Sequence, residues 1–358
     1  MTYREEPHTQ HKPQALNAAR APLAPLKRST PAEPPQLFAD ENLPSPRSGL
    51  LPQRSFVRTD LYTRPVVDGR VVSDNVWTRL RRLWHRLITS EREREEADLE
   101  RQLRRRPALT RTNLVAVVSP KGGVGKTTCA FLAGDLLASR ARVRALAIDT
   151  NPDFGTLGKL APDAGRSDRS LADVIAQMER IHSAAELYPF VSATPNGLHL
   201  LAAPPNPEVM EQMTPELYGQ LVAFLGRFYE LILLDLGTGL TEPLARFALE
   251  RADHAVVVAT PEWITSSTVV DSLHYVGGRL GAGQLSLVLN QVPPKEPADR
   301  RALEERFRRH QVPRHVTIPY DQRLRTMLDS GTYTCERLDR TTRLAVKRLG
   351  LAVAEQLV

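Results

Sequence analysis

The residues best suited to chemistry lie in one short run, SPKGGVGKTT at 119–128. Its glycines let backbone N–H groups turn inward around phosphate oxygens, and the helix predicted to follow adds positive charge at its N-terminus. Lys126 is placed to reach the β- and γ-phosphates, and the Thr127 hydroxyl to bind Mg²⁺. The run therefore predicts a phosphate loop whose nucleotide-binding residues are Gly122, Gly123, Val124, Gly125, Lys126, Thr127 and Thr128.

Asp235 lies in a second apolar run, ELILLDLG at 230–237, and would complete that chemistry. An aspartate at the end of a buried strand can hold Mg²⁺ through water beside a phosphate loop. Such an aspartate is common by itself, so the prediction depends on the loop at 119–128. Together the two features indicate a site for a nucleoside triphosphate with Mg²⁺.

These residues belong to a regular alternation of apolar runs and helical patterns that begins near residue 112. Such alternation predicts an α/β fold, with a mostly parallel sheet of about seven strands and helices on both faces. Ligands bind at the carboxyl ends of the strands in such a sheet, where the phosphate loop and Asp235 both fall. The apolar runs are LVAVVS (114–119), VRALAID (143–149), LHLLAAP (198–204), ELILLDLG (230–237), HAVVVAT (254–260), LSLVLNQV (285–292) and HVTIP (315–319).

The phosphate loop has a second lysine, Lys121, near its start. The resulting form, KGGVGKTT, resembles the loop of the ParA/MinD family of deviant Walker A ATPases, and the resemblance extends over about residues 112–358. It implies a P-loop NTPase that binds ATP and Mg²⁺ and hydrolyses ATP. It also implies that Lys121 crosses a dimer interface to the partner's nucleotide, so that a homodimer forms on ATP binding, and that a partner protein activates turnover.

The segment DTNPD at 149–153 matches the family only in part. The family usually has D-x-D-P here, with its first Asp near Mg²⁺ and its second positioning or activating the attacking water. Asp149 matches the first, so the resemblance adds it to the metal-binding residues Thr127 and Asp235.

Asn151 stands in the place of the second Asp. An amide orients water but accepts no proton at neutral pH, so we expect hydrolysis to be slow without a partner. There are two other interpretations: Asp153 substitutes for the missing acid, or catalysis relies on positioning alone. The expected catalytic residues are Lys121, Lys126, Asn151 and Asp153.

Two further positions match the family's base-binding region. Asn290 sits where the family's adenine-contacting Asn sits, and Pro319-Tyr320-Asp321 matches the loop that closes over the base. The resemblance therefore adds Asn290, Pro319 and Asp321 to the nucleotide-binding residues. A plain turn at a strand end is the alternative for these positions.

The chain ahead of the predicted ATPase domain, 110–358, has a different composition. Residues 1–70 read as a disordered, proline-rich arm, because 11 of the 28 prolines fall within 1–65 and no apolar period is sustained. Residues 71–109 read as a helical segment. In its first part, near 76–88, Trp77, Leu80, Trp84 and Leu87 share one face, as in an interfacial amphipathic helix. The alternative is a helix docked on the ATPase domain.

The second part of that segment, EREREEADLERQLRRR at 91–106, is almost entirely charged with mixed signs. It predicts an exposed helix supported by i,i+4 ion pairs. Residues 1–109 hold 20 Lys/Arg and 14 Asp/Glu, so they carry +6 of the chain's formal charge of +7. This excess favours an anionic partner for the arm, either membrane or nucleic acid.

Three functions fit these observations. The first is a MinD-like ATPase that is cytoplasmic and peripheral at the inner face of the cell membrane. The segment DTNPDFGTL at 149–157, with an arm ahead of the phosphate loop, resembles actinobacterial type VII secretion-associated ATPases. The second is a ParA-like partition ATPase that binds DNA non-specifically through late basic residues such as Arg343 and Lys347. The third is an interaction protein with a slow or silent ATP switch. Two cysteines, no apolar leader and no long apolar stretch predict a chain without a disulfide framework, secretory signal or membrane span.

Overall fold

The computed structural model describes residues 91, 93–105, 107, 109–151, 155–293, 305, 312 and 314–357, without the side chains of 263–267, 274 and 282. All of them belong to the second of two compact units, Ser73–Val358. The predicted arm at 1–70, the amphipathic helix near 76–88 and Asp153 lie outside the described residues. The predicted domain boundaries therefore stay predictions.

An eight-stranded sheet forms the centre of the described structure, in the order β3-β4-β2-β5-β1-β6-β7-β8. All neighbouring strands pair in parallel except β3 and β4, which are antiparallel. The predicted α/β class is confirmed, and each of the seven apolar runs contains one strand. The additional strand is the two-residue β3. The strands are β1 Asn113–Val118, β2 Ala145–Thr150, β3 Ser192–Ala193, β4 His199–Leu201, β5 Leu231–Leu236, β6 His254–Ala259, β7 Leu285–Val292 and β8 Arg314–Pro319.

The central strands are mostly apolar because helices cover both faces of the sheet. Every residue of β2, β5 and β6 is buried. Two apolar cores result, one on each face. The helices are α1 at 93–103, α2 Lys126–Leu136, α3 Leu171–Gln177, α4 Ala184–Leu187, α5 Pro207–Glu211, α6 Pro215–Leu225, α7 Pro243–Arg251, α8 Trp263–Leu280, α9 Gln322–Asp329 and α10 Arg340–Ala354.

Helix α2 starts at the phosphate loop and is almost entirely buried beyond its first turn. Its chain continues without a break into a single π-helical turn, Leu137–Ala141. Helix α10 packs against it where Gly350 faces Leu136, and Leu103 of α1 reaches the same point. The phosphate loop is thus joined to a three-helix layer made of α1, α2 and α10.

Helix α1 is not the exposed helix that its charge pattern predicts, because one of its faces docks on α10. Leu99 and Leu103 are buried there, at 8% and 0% exposure. Glu96 Oε1 lies 2.6 Å from Arg343 Nε and 3.1 Å from Lys347 Nζ, and Glu100 Oε2 lies 3.0 Å from Lys347 Nζ. We call these contacts the α1–α10 clasp; it also includes Glu93 with Arg340 and Glu95 with Arg348.

Within the part of the chain that is described, no helix combines the length and apolarity needed to cross a membrane.

Candidate nucleotide site

A cavity of about 620 Å³ opens at the carboxyl ends of the strands, on both sides of β1. It lies where the strand order turns, since β1 is flanked by β5 on one side and β6 on the other. The phosphate loop, Asn151, Asp235, Asn290 and Asp321 all contribute to its wall. The structure therefore brings together residues that lie up to two hundred positions apart in the sequence.

The phosphate loop has the backbone shape that its glycines predict. Gly123 and Gly125 have φ values of 75° and 93°, in the left-handed region that L side chains rarely adopt. A Cβ at Gly125 would also overlap the Asn290 side-chain amide. Helix α2 begins immediately afterwards, at Lys126, so that its first free N–H groups face the cavity. The loop is thereby shaped for an anion.

Thr127 and Asp235 form the base of the site. The Thr127 hydroxyl donates a 2.6 Å hydrogen bond to Asp235 Oδ2. Asp235 Oδ1 is buried and has no hydrogen-bond partner among the described residues. Burial raises the pKa of Asp235 to about 7, against the opposing effect of the Thr127 hydrogen bond. A buried carboxylate oxygen without a partner, next to a threonine hydroxyl, suits a divalent cation or its water.

Asp149 lies directly beside Asp235, since the two are register partners on β2 and β5. Its Oδ2 accepts a 2.9 Å hydrogen bond from Leu157 N, and its Oδ1 accepts one of 3.2 Å from Asn151 N. Burial raises the pKa of this carboxyl too. Each carboxylate oxygen of Asp149 therefore accepts one backbone hydrogen bond, which fixes the carboxylate beside Asp235.

These donors fit Mg²⁺, a hard cation that takes oxygen ligands and usually keeps several waters. Thr127, Asp235 and Asp149 would hold it, with phosphate oxygens and water completing the shell. Among the described residues there is no cluster of three or more His, Cys, Asp or Glu side chains that could hold a metal ion.

Gly155 is a site residue that sequence reasoning missed. A Cβ at this position would overlap the Asp149 carboxylate. The chain that returns after 152–154 thus passes directly over Asp149, and only a glycine allows the approach. The sequence does show a glycine shortly after the DTNPD segment, but it does not show that the backbone there passes close to Asp149.

The two lysines of the loop have different environments. Lys126 lines the cavity, and burial lowers the pKa of its ammonium while Asp235 opposes that shift. Lys121 is exposed, and its backbone N–H donates to Ser119 Oγ at 3.3 Å. Lys126 is thus positioned for phosphate in the same chain, whereas the Lys121 side chain is accessible from outside.

The amides at the end of β7 grip the phosphate loop. Asn290 Nδ2 donates to Val124 O at 2.8 Å, and Gln291 Nε2 donates to Gly123 O at 3.3 Å. Gln291 has a φ of 57°, unusual for a non-glycine residue, at an irregularity in the β7–β8 register. Sequence reasoning placed Asn290 in the site but missed Gln291, because the turn of the backbone is not visible in the sequence.

The predicted base-closing residues also line the cavity. Asp321 caps α9, since its Oδ1 accepts from Arg323 N at 2.8 Å and from Leu324 N at 3.2 Å. Pro319 ends β8 beside it. Tyr320 is 46% exposed, and its hydroxyl donates to Gln322 Oε1 at 2.6 Å. The segment therefore forms part of the cavity rim with a partly exposed ring, and Asn151 lines the same cavity.

Comparison with known proteins places this geometry in a family. Residues 115–334 match the family described as the CobQ/CobB/MinD/ParA nucleotide binding domain. The chain is 27% identical over 376 residues to the ESX-1 secretion-associated protein EspI of Mycobacterium tuberculosis, in strains H37Rv and CDC 1551. That match covers 89% of this chain and 55% of the relative, so the chain spans about half the length of the curated relatives it matches.

Solved structures share the fold. A ParA family ATPase from Chlorobium tepidum is 20% identical with a TM-score of 0.55, covering 66% of this chain and 96% of that one. The septum site-determining protein MinD from Pyrococcus horikoshii, complexed with Mg-ADP, is 20% identical with a TM-score of 0.52, covering 66% and 94%. The chain belongs to the CobQ/CobB/MinD/ParA family of nucleotide-binding domains.

Proposed function

We propose that this protein is an ATP-hydrolysing switch of the MinD/ParA type that uses Mg²⁺, dimerises on ATP and acts at the membrane in positioning or secretion. The observation that carries the nucleotide chemistry is the Thr127–Asp235 hydrogen bond at the foot of the phosphate loop. It fixes a hydroxyl and a carboxylate where an Mg²⁺ bound to the β- and γ-phosphates would need them. Lys126 supplies positive charge to the same phosphates.

Hydrolysis on this proposal proceeds by positioning. Asn151 lies on the cavity wall beside Asp149, to which its backbone N–H donates. Its side chain would orient the attacking water without accepting a proton, and phosphoryl transfer tolerates that because positioning and charge stabilisation dominate its catalysis. The basal rate is therefore low, and a partner protein that orders this wall would raise it.

Dimerisation on ATP is supported by the exposure of Lys121, which leaves its ammonium accessible to a second subunit. A cation held on the surface beside a phosphate loop is poorly placed for its own nucleotide. Its best use is the nucleotide of the partner, as the family resemblance implies. ATP would then bridge the two subunits through two such lysines.

A role in secretion is supported by the match to EspI, a relative whose name describes it as secretion-associated. A role at the membrane is supported by the basic segment ahead of α1, in which the predicted amphipathic helix near 76–88 contains Trp77 and Trp84. A dimer would carry two such segments, and their two weak interactions with the membrane would act together. Because ATP would control dimerisation, it would also control how long the protein stays at the inner face of the membrane. On this proposal the protein acts on the cytoplasmic side of the membrane.

The DNA-partition alternative is disfavoured by the α1–α10 clasp. Arg340, Arg343, Lys347 and Arg348 all pair with glutamates of α1, so these four of the late basic residues already have acidic partners within the chain. Arg323 and Arg325 pair with Asp339 and Asp329. Non-specific DNA binding needs cations free to replace counterions.

The test is cosedimentation of the full chain with anionic liposomes and, separately, with plain duplex DNA, each with ATP and with ADP. We expect ATP-dependent binding to liposomes and weak binding to DNA. A chain beginning at Glu91, which keeps α1 docked on α10, and a Trp77→Glu/Trp84→Glu variant should both lose liposome binding. Equal binding by the shortened chain, or tighter binding to DNA than to liposomes, would overturn the membrane role while leaving the ATPase chemistry to be measured by phosphate release.

A further inference from the structure

The phosphate loop has three consecutive backbone carbonyl groups whose hydrogen bonds are already made within the chain. Gln291 Nε2 donates to Gly123 O at 3.3 Å. Asn290 Nδ2 donates to Val124 O at 2.8 Å. The next carbonyl, that of Gly125, accepts the first backbone hydrogen bond of α2 at 2.9 Å. The acceptor groups of this part of the loop are therefore satisfied before any ligand binds.

The donor groups of the same loop are not satisfied. The N–H groups of Val124 and Gly125 have no acceptor among the described residues. Val124 is nevertheless buried, at 2% exposure, and buried backbone N–H groups in proteins are nearly always paired. Phosphate oxygens are acceptors that bind to successive N–H groups of such a loop. The loop is therefore prepared for phosphate on its donor side alone.

Two peptide units connect the satisfied carbonyls to the unsatisfied N–H groups. A peptide unit is flat and trans, so its C=O and its N–H point in opposite directions. The Gly123 carbonyl and the Val124 N–H belong to one unit, and the Val124 carbonyl and the Gly125 N–H belong to the next. A side chain that holds one of these carbonyls therefore also sets the direction of the N–H on the other side of the unit.

Gln291 reaches the loop because of its unusual backbone. Successive residues of a regular strand direct their side chains to opposite faces of the sheet. Asn290 and Gln291 are successive residues of β7, yet both side chains contact the phosphate loop. The left-handed conformation of Gln291, with φ of 57°, breaks the alternation where the β7–β8 register is irregular. The result is a second amide donor at the loop.

The geometry points to Gln291 as a positioning residue for phosphate binding. By holding the Gly123 carbonyl, it directs the Val124 N–H toward the phosphates, beside the Gly125 N–H that Asn290 directs in the same way. Its effect on nucleotide affinity runs through the loop and not through the base. The inference rests on the nucleotide chemistry of the proposed function and adds a residue that shapes the loop for it.

The experiment replaces Gln291 by Met in the full chain, because Met keeps the length of the side chain and removes the amide donor. Affinity for Mg²⁺-ADP is measured by calorimetry. Affinity for adenosine, which has no phosphate, is measured by competition against a fluorescent ADP analogue. We expect Mg²⁺-ADP to bind at least about tenfold more weakly and the affinity for adenosine to change less than about threefold. Gln291→Gly suits the left-handed backbone and should give the same loss, which separates the missing donor from backbone strain.

The matched control is Gln284→Met. Gln284 precedes β7 at the other end of the strand, outside the lining of the cavity, and its Nε2 donates to Asp253 O at 3.0 Å. The substitution therefore removes the same kind of bond, from a glutamine amide to a backbone carbonyl, away from the phosphate loop. Both affinities should stay unchanged.

Two results would overturn the inference. One is equal Mg²⁺-ADP affinity in the parent, Gln291→Met and Gln291→Gly. The other is a loss of adenosine affinity as large as the loss for Mg²⁺-ADP, because Gln291 would then act on the base or on the fold as a whole. A parent chain that binds Mg²⁺-ADP but neither hydrolyses ATP nor dimerises would overturn the proposed function and leave the role of Gln291 intact.

Discussion

Thr127 and Asp235 are joined by a 2.6 Å hydrogen bond that leaves the other carboxylate oxygen of Asp235 buried without a partner among the described residues. The bond ties the first turn of α2 to the end of β5. Half of the carboxylate is held in place and the other half is left for a ligand. Burial of this carboxylate raises its pKa although the Thr127 hydrogen bond opposes the rise, and the oxygen left without a partner suits Mg²⁺.

The first prediction concerns pH. In the folded chain the pKa of Asp235 is raised from 3.8 to about 7. Between these two pH values the folded chain therefore binds one proton more than the unfolded chain. Its contribution to stability is therefore present at low pH and lost as pH rises from about 4 to about 7, by on the order of 4 kcal/mol. Nucleotide-free Asp235→Asn should lack this loss in pH-dependent denaturant unfolding, and should also lose stabilisation by Mg²⁺-ATP. Parallel pH profiles of the two proteins would contradict the assignment.

Gly155→Ala should damage the site from outside the recognised motifs. The new Cβ would overlap the Asp149 carboxylate and force the backbone above it to move. We expect a loss of about 1–3 kcal/mol in unfolding free energy and at least tenfold weaker Mg²⁺-ATP binding by calorimetry. Gly278→Ala is the control: it lies in α8 with open space around it and should stabilise by roughly 0.5–1 kcal/mol. Similar effects from both substitutions would argue against the close approach at Asp149.

Lys121→Ala should separate nucleotide binding from dimerisation. The side chain is exposed and does not line the cavity, so ATP affinity should change less than threefold. The variant should remain monomeric in sizing experiments with a non-hydrolysed ATP analogue, while the parent forms a dimer. Lys126→Ala, by comparison, should lose nucleotide itself. A Lys121→Ala protein that dimerises normally would exclude the cross-subunit role.

Asn151→Asp should raise the ATPase rate. The change places a carboxylate, able to accept a proton, on the wall where Asn151 lies. An increase of about tenfold or more in phosphate release is the expected result. Asp153→Ala in the parent measures whether that residue substitutes for the missing acid. Slower turnover in Asn151→Asp, with no effect of Asp153→Ala, would show that this wall is not where water is positioned.

Glu96→Gln should loosen the α1–α10 clasp. The Arg343 guanidinium, hydrogen-bonded to Glu96, holds the pKa of that carboxyl below its ordinary value. The stabilisation is therefore present near neutral pH and is lost as pH falls through the lowered pKa. We expect a loss of about 1–3 kcal/mol and faster hydrogen exchange in 93–103, with smaller differences at high salt. Asp98→Asn, an exposed change on the same helix, should have little effect.

The sheet was predictable because each buried strand is a short apolar run, and the site followed because a parallel sheet gathers its loops at one edge. Asp149 and Asp235 could be assigned to that edge, but their direct pairing depends on β2 and β5 being neighbours, which no local pattern specifies. The two-residue β3 carries too few residues for a pattern.

The docking of α1 was not predictable for a different reason. A run of mixed charges looks the same whether its partners are four residues away on the same helix or 247 away, as for Glu96 and Arg343. The sequence did not indicate the roles of Gly155 and Gln291, because these roles depend on contacts that form only when the backbone folds back on other segments. Local sequence indicates which residues carry chemistry; contacts between distant segments decide which of them meet.

The ladder between β2 and β5 divides the site into two mechanical parts. Asp149 and Asp235 sit on paired strands, so the distance between their backbones cannot change without breaking hydrogen bonds in the centre of the sheet. The wall containing Asn151 and Gly155, and the turn at Thr238, lie beyond the ends of those strands. On the proposed function, any difference between ATP-bound and ADP-bound forms would therefore fall on these turns, while the backbones of the two aspartates keep their place in the sheet.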